Sequence, residues 1–434
     1  NEQDQLGPEL YQMGEHFAEW LFNNWHSIHA NSQRMVFNVL PNKAVELKQA
    51  GRVNLIIVVD NLGWSFSQKL KGLFQQKGFY LSAAEPYLAM LPSETEISKK
   101  CLLSGAVGYA SIDNNSYKAI TEKGWVPYFN DAKFRYISDI GGLDQVEKID
   151  VTTYVVNYLA IDKALHMSSN QIGMPHVQHI QHLLEKLVER VDDFVERHNL
   201  KNSLHIYIIS DHGSIRIPAE INNDLDVSYF KASGFSAPSH RFIAVTSKKF
   251  TELPENLRTD CFFLNATDYG NEQHYLCARR ANRFLPADRD IYVHGGLSPE
   301  EVVVPCMVFE AAKVTIQNLT LIPRKTEFRY RLETVEIEIG NPNDTAVESI
   351  QVFALNSNIE MEPQTIQWLN GKTKTVLQFK VQFKQTLNPE EQTSFAMRIR
   401  FTCQGEKHTN DTKFKIVMHK MVEQKGKSVF DDLD

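Results

Sequence analysis

The sequence predicts an α/β protein, with a mostly parallel sheet flanked by helices and then a separate C-terminal β-sandwich. Three observations carry this prediction. Two short apolar runs, Asn54-Leu55-Ile56-Ile57-Val58-Val59-Asp60 and His205-Ile206-Tyr207-Ile208-Ile209-Ser210-Asp211-His212-Gly213, read as buried strands that end in potential metal ligands. A long amphipathic helix over 176–198 leads straight into the second of them, as in a βαβ crossover. Beyond about residue 311 the text changes to alternating apolar and polar positions between turn signals.

Taken in order, residues 1–50 form a helical segment. Trp20, Leu21, Trp25 and Ile28 recur at near-helical spacing, and Met35, Phe37 and Leu40 follow before Pro41 interrupts. A strand over 54–60 opens the second region, 51–310. It is followed by a helix near 65–76, an extended stretch near 79–84, a helix after Pro92 that carries Ile97, Leu102 and Leu103, and a helix over 151–166. In the 176–198 helix, Val177, Ile180, Leu184, Leu187, Val188, Val191 and Val195 repeat on one face. Strand 204–210 comes next, then a loop over 214–240 with no period, of a length that usually signals function or mobility. Strands near 241–246 and 301–309 are expected to complete the sheet.

The third region, 311–434, reads as the β-sandwich. Val335–Ile339, Val376–Phe383 and Phe395–Phe401 alternate inside and outside, with turns at Asn341-Pro342-Asn343-Asp344 and Asn370-Gly371. Candidate catalytic groups are few here, so partner contact or shielding is its expected role, and the N-terminal helices are a second candidate surface for protein partners.

A length of 434 residues accommodates two or three domains with their own cores. Apolar residues at 42% and charged residues at 23% are the mixture of a globular chain. The net charge of -7 argues against general attraction to a nucleic-acid backbone, leaving room for a local basic groove. Five cysteines (Cys101, Cys261, Cys277, Cys306, Cys403) contain no CxxC pair, which disfavours a disulfide framework and a thiolate zinc site. A reducing, cytoplasmic location is therefore expected, with no membrane span and no signal peptide. Sequons such as those at Asn265, Asn318 and Asn343 carry no weight against it. The chain opens on Asn1, as a processed chain or an excised fragment would.

Several residues could carry metal chemistry. Asp60, beside Asn61 and Gly63, stands where a carboxylate serves either as a helix cap or as a ligand. Asp211 and His212 are adjacent at a strand end, and Gly213 permits a tight path. Asp162 and His166 lie four apart on one helical face and can grip one ion. His294 stands beside Gly295 and Gly296. Ser93 and Thr95 each offer a hydroxyl, which is either a cap or a nucleophile activated by a metal. Arg241, Lys99 and Lys100 are basic groups available to meet phosphoryl charge.

Five blocks then stand in one order: the apolar strand with Asp60; Pro92-Ser93-x-Thr95 running to Leu103-Ser104-Gly105; Asp162-x-x-x-His166; Asp211-His212-Gly213; and His294-Gly295-Gly296-x-Ser298-x-Glu300-Glu301. In that order they resemble the alkaline phosphatase superfamily, most closely its PglZ branch, over about residues 50–310. The resemblance implies an alkaline phosphatase-like PglZ catalytic domain with two divalent metal ions. One ion would be held by Asp60, Asp211, His212 and Thr95, the other by Asp162, His166 and His294. It prefers Thr95 over Ser93 as nucleophile, because the family's block places its nucleophile at the second hydroxyl. Oxygen and nitrogen donors suit zinc or manganese. The implied activity is a phosphodiesterase on nucleotide or nucleic-acid substrates, in bacterial phage defence or signalling. The alternatives are a phosphomonoesterase, or a non-catalytic, metal-stabilised scaffold of a defence complex.

Overall fold

The computed structural model describes residues 7–48, 51–113, 116–129, 134–167, 174–201, 203–218, 224–225, 239–246, 251–285, 291–310, 316–329, 332–384, 392–403 and 406–419. The chain divides into two compact units, 1–79 with 85–312, and 80–84 with 313–434.

Eleven strands precede residue 311 among the described residues: β1 (Val53–Val59), β2 (Tyr80–Leu88), β3 (Arg135–Ile137), β4 (Thr153–Tyr158), β5 (Leu204–Ser210), β6 (Ile215–Ile217), β7 (Phe242–Val245), β8 (Cys261–Leu264), β9 (His274–Ala278), β10 (Ile291–Val293) and β11 (Val303–Glu310). Six of them form the central sheet, in the order β2-β11-β5-β1-β4-β3. Within it β5, β1, β4 and β3 are mutually parallel, and β11 runs antiparallel to β5. Leu55, Ile57, Val59, Ile206, Ile208 and Val155 are buried, as strands covered on both faces require. The helix His176–Arg197 packs Ile180, Leu184, Leu187, Val188, Val191 and Val195 inward; Val177, assigned to that face from its spacing, is instead 60% exposed.

Other expectations need correction. The segment 151–166 is not one helix. Thr153–Tyr158 is strand β4, and only Ala160–His166 is helical. The run Thr-Tyr-Val-Val-Asn-Tyr is β-branched and aromatic, and a position between β1 and β3 rewards that composition. Pro41 does not interrupt a helix either. The first helix ends at Asn31, and Pro41 lies in the opening turn of Val39–Leu47, where a missing N–H leaves no bond unmade. Strand β7 joins a separate sheet, β7-β9-β8, rather than the central one. In the 214–240 stretch, Ile215–Ile217 is strand β6, and 219–223 and 226–238 lie outside the described residues.

The second unit contains β12 (Thr320–Pro323), β13 (Glu327–Phe328), β14 (Leu332–Gly340), β15 (Val347–Ala354), β16 (Ile359–Met361), β17 (Gln364–Leu369), β18 (Lys374–Phe383), β19 (Gln392–Cys403) and β20 (Glu406–Met418). Two sheets, β12-β14-β18-β16 and β13-β20-β19-β15-β17, share one core that includes Val335, Ile337, Phe379, Phe395, Met397 and Phe401. This is the sandwich that the alternating runs predict. The Asn341-Pro342-Asn343-Asp344 turn is held by Asn341, whose Nδ2 donates to the carbonyls of Thr345 (2.9 Å) and Leu369 (3.0 Å).

One buried charge cluster anchors the N-terminal helices. Glu85 on β2 accepts from Lys43 at 2.9 Å and Arg34 at 3.0 Å, and the Lys43 side chain is almost fully enclosed. Burial alone would raise the Glu85 pKa, but the charges and hydrogen bonds of Lys43, then Arg34, outweigh it and hold it below its ordinary 4.5. A depressed folded pKa contributes stability that is complete above the unfolded value and lost as pH falls through the folded one. Glu85→Gln is therefore expected to lower unfolding stability by about 2 kcal/mol at pH 7, because it leaves the buried Lys43 with the more distant Glu46, at 3.6 Å, as its carboxylate partner. The deficit should begin to shrink below about pH 4.5, where the carboxylate protonates in the unfolded chain, and fall further as pH drops through the lower folded value. Urea midpoints at pH 7 and pH 3.5 read this directly, and an equal deficit at both would refute it.

Candidate metal centre and nucleophile

The C-terminal ends of β1 and β5 are adjacent and in register, Val59 opposite Ser210, so the next residues, Asp60 and Asp211, emerge side by side. Both are buried, with His212 fully enclosed beside them. Helix Ala160–His166 follows the end of β4, which flanks β1 on its other side, and brings Asp162 and His166 to the same edge. His294 arrives by a different route. The ribbon β10-β6 pairs Val293 with Ile215, so the residue after β10 meets the residues just before β6, and the His294 and His212 rings stack at 4.3 Å. Thr95 opens a short π-helical turn, Thr95–Lys99.

Two ligand clusters result, Asp60/Asp211/His212 and Asp162/His166/His294, with the ligand atoms of each within 4.8 Å of one another. Thr95 Oγ1 lies 2.8 Å from His212 Nε2 and 3.4 Å from Asp60 Oδ1. His212 Nδ1 faces the Gly213 carbonyl at 3.1 Å, which assigns that nitrogen the proton and leaves Nε2 as the acceptor for the Thr95 hydroxyl. In the second cluster His294 Nδ1 is 3.2 Å from Glu94 Oε2, so its Nε2 is the nitrogen turned into the cluster. That atom stands 3.3 Å from His166 Nε2 and 3.6 Å from Asp162 Oδ1, and His166 Nε2 lies 3.2 Å from the same oxygen.

These groups fit divalent ions. Asp211 Oδ2 is a buried carboxylate oxygen with no hydrogen-bond partner, which a folded protein leaves only where something else satisfies it. Two imidazole nitrogens and a carboxylate oxygen converging on one point in the other cluster are donors arranged for a cation. The electrostatics agree. Burial, then the charge of Asp211, pushes Asp60 up to about 6, against the pull of Lys99 and His212. Burial lowers His294, but Glu94, then Asp162 and Asp60, outweigh it and raise the imidazole to about 9. Burial would raise Asp162, yet His166 and His294 hold it well below the usual carboxylate range.

Of the residues singled out in the sequence, Asp60, Thr95, Asp162, His166, Asp211, His212 and His294 come together. Ser93 does not join them as a second nucleophile. Its hydroxyl donates to the Gly296 carbonyl at 2.8 Å and accepts from Gly295 N at 3.1 Å, clamping the Thr95 and His294 loops to each other. Arg241 is not available to phosphoryl groups, being buried in a two-pronged pair with Glu301 at 3.2 Å for both contacts. Lys100 pairs with Glu96.

The backbone is drawn in tightly. A Cβ on Gly296 would lie 2.5 Å from Glu301 Oε2 and 2.6 Å from Arg241 Nη2, and one on Gly213 would strike the Glu300 carbonyl at 2.2 Å. Glu301 also accepts from Gly296 N at 2.8 Å.

Asn61 escaped the sequence reading as a site residue. It sits in the left-handed region (φ 64°), its Nδ2 donates to Asp162 Oδ1 at 3.0 Å and its backbone N–H to Asp211 Oδ1 at 3.2 Å, so one residue braces both clusters. The signal for it was its place directly after Asp60, where an Asn tolerates positive φ. Glu94 was legible only as a neighbour of Thr95, whereas Lys99, read from the sequence as a basic group for phosphoryl charge, is fully buried against Asp60 Oδ2 at 2.8 Å.

The C-terminal edge of a central, mostly parallel sheet thus gathers two acid and histidine clusters and a hydroxyl. Residues 141–309 match the family described as the BREX system PglZ alkaline phosphatase-like domain, in agreement with the order of the motifs. That stretch contains Asp162, His166, Asp211, His212 and His294, and Asp60 and Thr95 precede it. No curated protein matches the chain. Among solved structures, human ectonucleotide pyrophosphatase/phosphodiesterase 5 matches 60% of this chain and 88% of its own at 13% identity and a TM-score of 0.43. Its murine counterpart, an inactive form in complex with AMP, matches the same shares at 10% identity and a TM-score of 0.41. Among the described residues, no helix is long and apolar enough to cross a membrane.

Arg241→Met is expected to destabilise the fold by about 3 kcal/mol, since it leaves the Glu301 carboxylate buried with only backbone donors. The double variant Arg241→Met/Glu301→Gln should lose less than the two single changes summed. Equilibrium urea denaturation of the four proteins tests this, and additivity would sink it.

Proposed function

We propose that this protein is a metal-dependent phosphodiesterase that cleaves nucleotide or nucleic-acid phosphodiesters with Thr95 as its nucleophile. The observation that carries the reading is the position of Thr95 Oγ1, 2.8 Å from His212 Nε2 and 3.4 Å from Asp60 Oδ1, at the edge of a carboxylate and imidazole cluster. A hydroxyl with only a structural task has no need of that address.

Asp60, Asp211, His212 and Thr95 would hold one ion, and Asp162, His166 and His294 the second. Such ions supply Lewis acidity toward the phosphoryl oxygens. All donors are oxygen or nitrogen, which suits zinc first and manganese second. The chain's own part is to place the reacting groups. Asp60 and His212 fix the place of the Thr95 oxygen, with Asp60 Oδ1 facing its proton and His212 Nε2 given to the ion. Thr95 Oγ1 forms the bond to phosphorus as the bond to the departing alkoxide breaks, and water then releases the phosphoryl group from Thr95. Asn61 keeps Asp162 and Asp211 at fixed separation throughout.

A net charge of -7 favours a small or oligomeric nucleotide over long duplex DNA, unless a partner protein presents the DNA. The description of the matching family names a BREX system, which supports a role in bacterial phage defence, with partners engaging the N-terminal helices or the β-sandwich. The absence of a CxxC pair supports a reducing cytoplasm.

Hydrolysis of bis-p-nitrophenyl phosphate and p-nitrophenyl phosphate by zinc-loaded protein tests the activity. Diester turnover should fall about a thousandfold in Thr95→Ala and vanish after EDTA treatment. A preference for the monoester would make it a phosphatase. Silence with both ions demonstrably bound would overturn catalysis in favour of a scaffold.

A further inference from the structure

The two ligand clusters differ in one respect that the proposed chemistry does not use. Lys99 is completely buried, and its Nζ lies 2.8 Å from Asp60 Oδ2. The widened turn Thr95–Lys99 sets this ammonium four residues past the nucleophile, and the Tyr117 ring stands over it with Nζ 5.4 Å from the centroid. Asp60 is thereby divided between two tasks. Oδ2 is taken by Lys99, while Oδ1 faces Thr95 at 3.4 Å and His212 at 3.6 Å. Asp211 behaves similarly. Its Oδ1 accepts from the backbone N–H groups of His212 at 3.0 Å and Asn61 at 3.2 Å, and its Oδ2 is the orphaned buried oxygen. Asp162, in contrast, is paired among the described residues with two histidines, and an extra carboxylate, Glu94, stands behind His294.

Two carboxylates buried side by side without a cation repel each other and are poorly solvated. A lysine placed against one of them relieves this before any ion arrives. It then opposes the ion, because a positive charge fixed beside a ligand weakens the attraction of that ligand set for a second positive charge.

We propose that Lys99 is a resident counter-cation of the Asp60/Asp211 pair, keeping this cluster assembled when it holds no ion and competing with a divalent ion for Asp60. The inference rests on the two-ion reading above. Under it the two clusters load in sequence, the Asp162/His166/His294 cluster first.

Calorimetric titration of metal-free protein with zinc, together with thermal melts of the metal-free state, provides the test. Wild type should show two unequal binding events. Lys99→Met, nearly equal in volume and uncharged, should melt at lower temperature without metal and bind one of the two ions about tenfold more tightly or better, with the other within threefold of wild type. Lys99→Arg, which keeps the charge, should preserve the unequal order. Unchanged or weaker zinc binding at both sites in Lys99→Met overturns the proposal. So does a raised KM with unaltered zinc affinities, which would make Lys99 a substrate contact. If Lys99→Met does not fold, Lys99→Met/Asp60→Asn should, since the Asp60 charge is removed together with that of Lys99, and its failure to fold would assign Lys99 a packing role and overturn the proposal. Wild-type protein that binds no zinc would bring down the two-ion reading itself, an outcome visible before any variant is made.

Discussion

The structure depends on one constraint: two carboxylates must be kept buried and close together at the end of a sheet. Parallel pairing of β1 with β5 puts Asp60 next to Asp211, and strand burial removes the water that would otherwise solvate them. The surroundings answer this unfavourable placement. Lys99 supplies a positive charge, the N–H groups of Asn61 and His212 supply donors, and the ligand sets supply room for ions. Adjacency that would destabilise an ordinary core is what gives the Thr95 hydroxyl a polarising environment.

A second layer of contacts converts that edge into a fixed geometry. The Ser93 clamp ties the Thr95 segment to the His294 segment, and the buried Arg241–Glu301 pair supports the glycines after His294. Gly213 and Gly296 are glycine because backbone and carboxylate atoms occupy the space a Cβ would need. Such supporting groups set the orientation of ligands, and a site lacking them would be present but loose. Asn61 goes further by touching a carboxylate of each cluster, so that displacement of one is felt by the other.

The ligand sets are electrostatically unequal although they resemble each other in composition. One contains two carboxylates, one imidazole and a lysine; the other contains one carboxylate, two imidazoles and a glutamate behind one ring. Lys99 and Glu94 are the charged groups that make the two clusters differ.

By itself the sequence determined the strands that carry the ligands. β1, β5 and the alternating strands after residue 311 are legible because burial on both faces, or on one, writes itself directly into apolar periodicity. Much of the acid and histidine set that gathers in two clusters was also legible, Asp60, Asp211 and His212 at the ends of such runs and Asp162 and His166 on one helical face. The tertiary structure alone decided how β4 forms, because Thr153–Tyr158 becomes a strand through its place between β1 and β3 and its local pattern allowed a helix. It alone decided which hydroxyl meets the clusters and which one clamps loops, and that Arg241 serves the fold. It also brought Lys99 and Asn61 onto Asp60, Asp162 and Asp211. Those pairings join residues as much as 150 positions apart, and no local period encodes a contact that exists only once the strands have come into register.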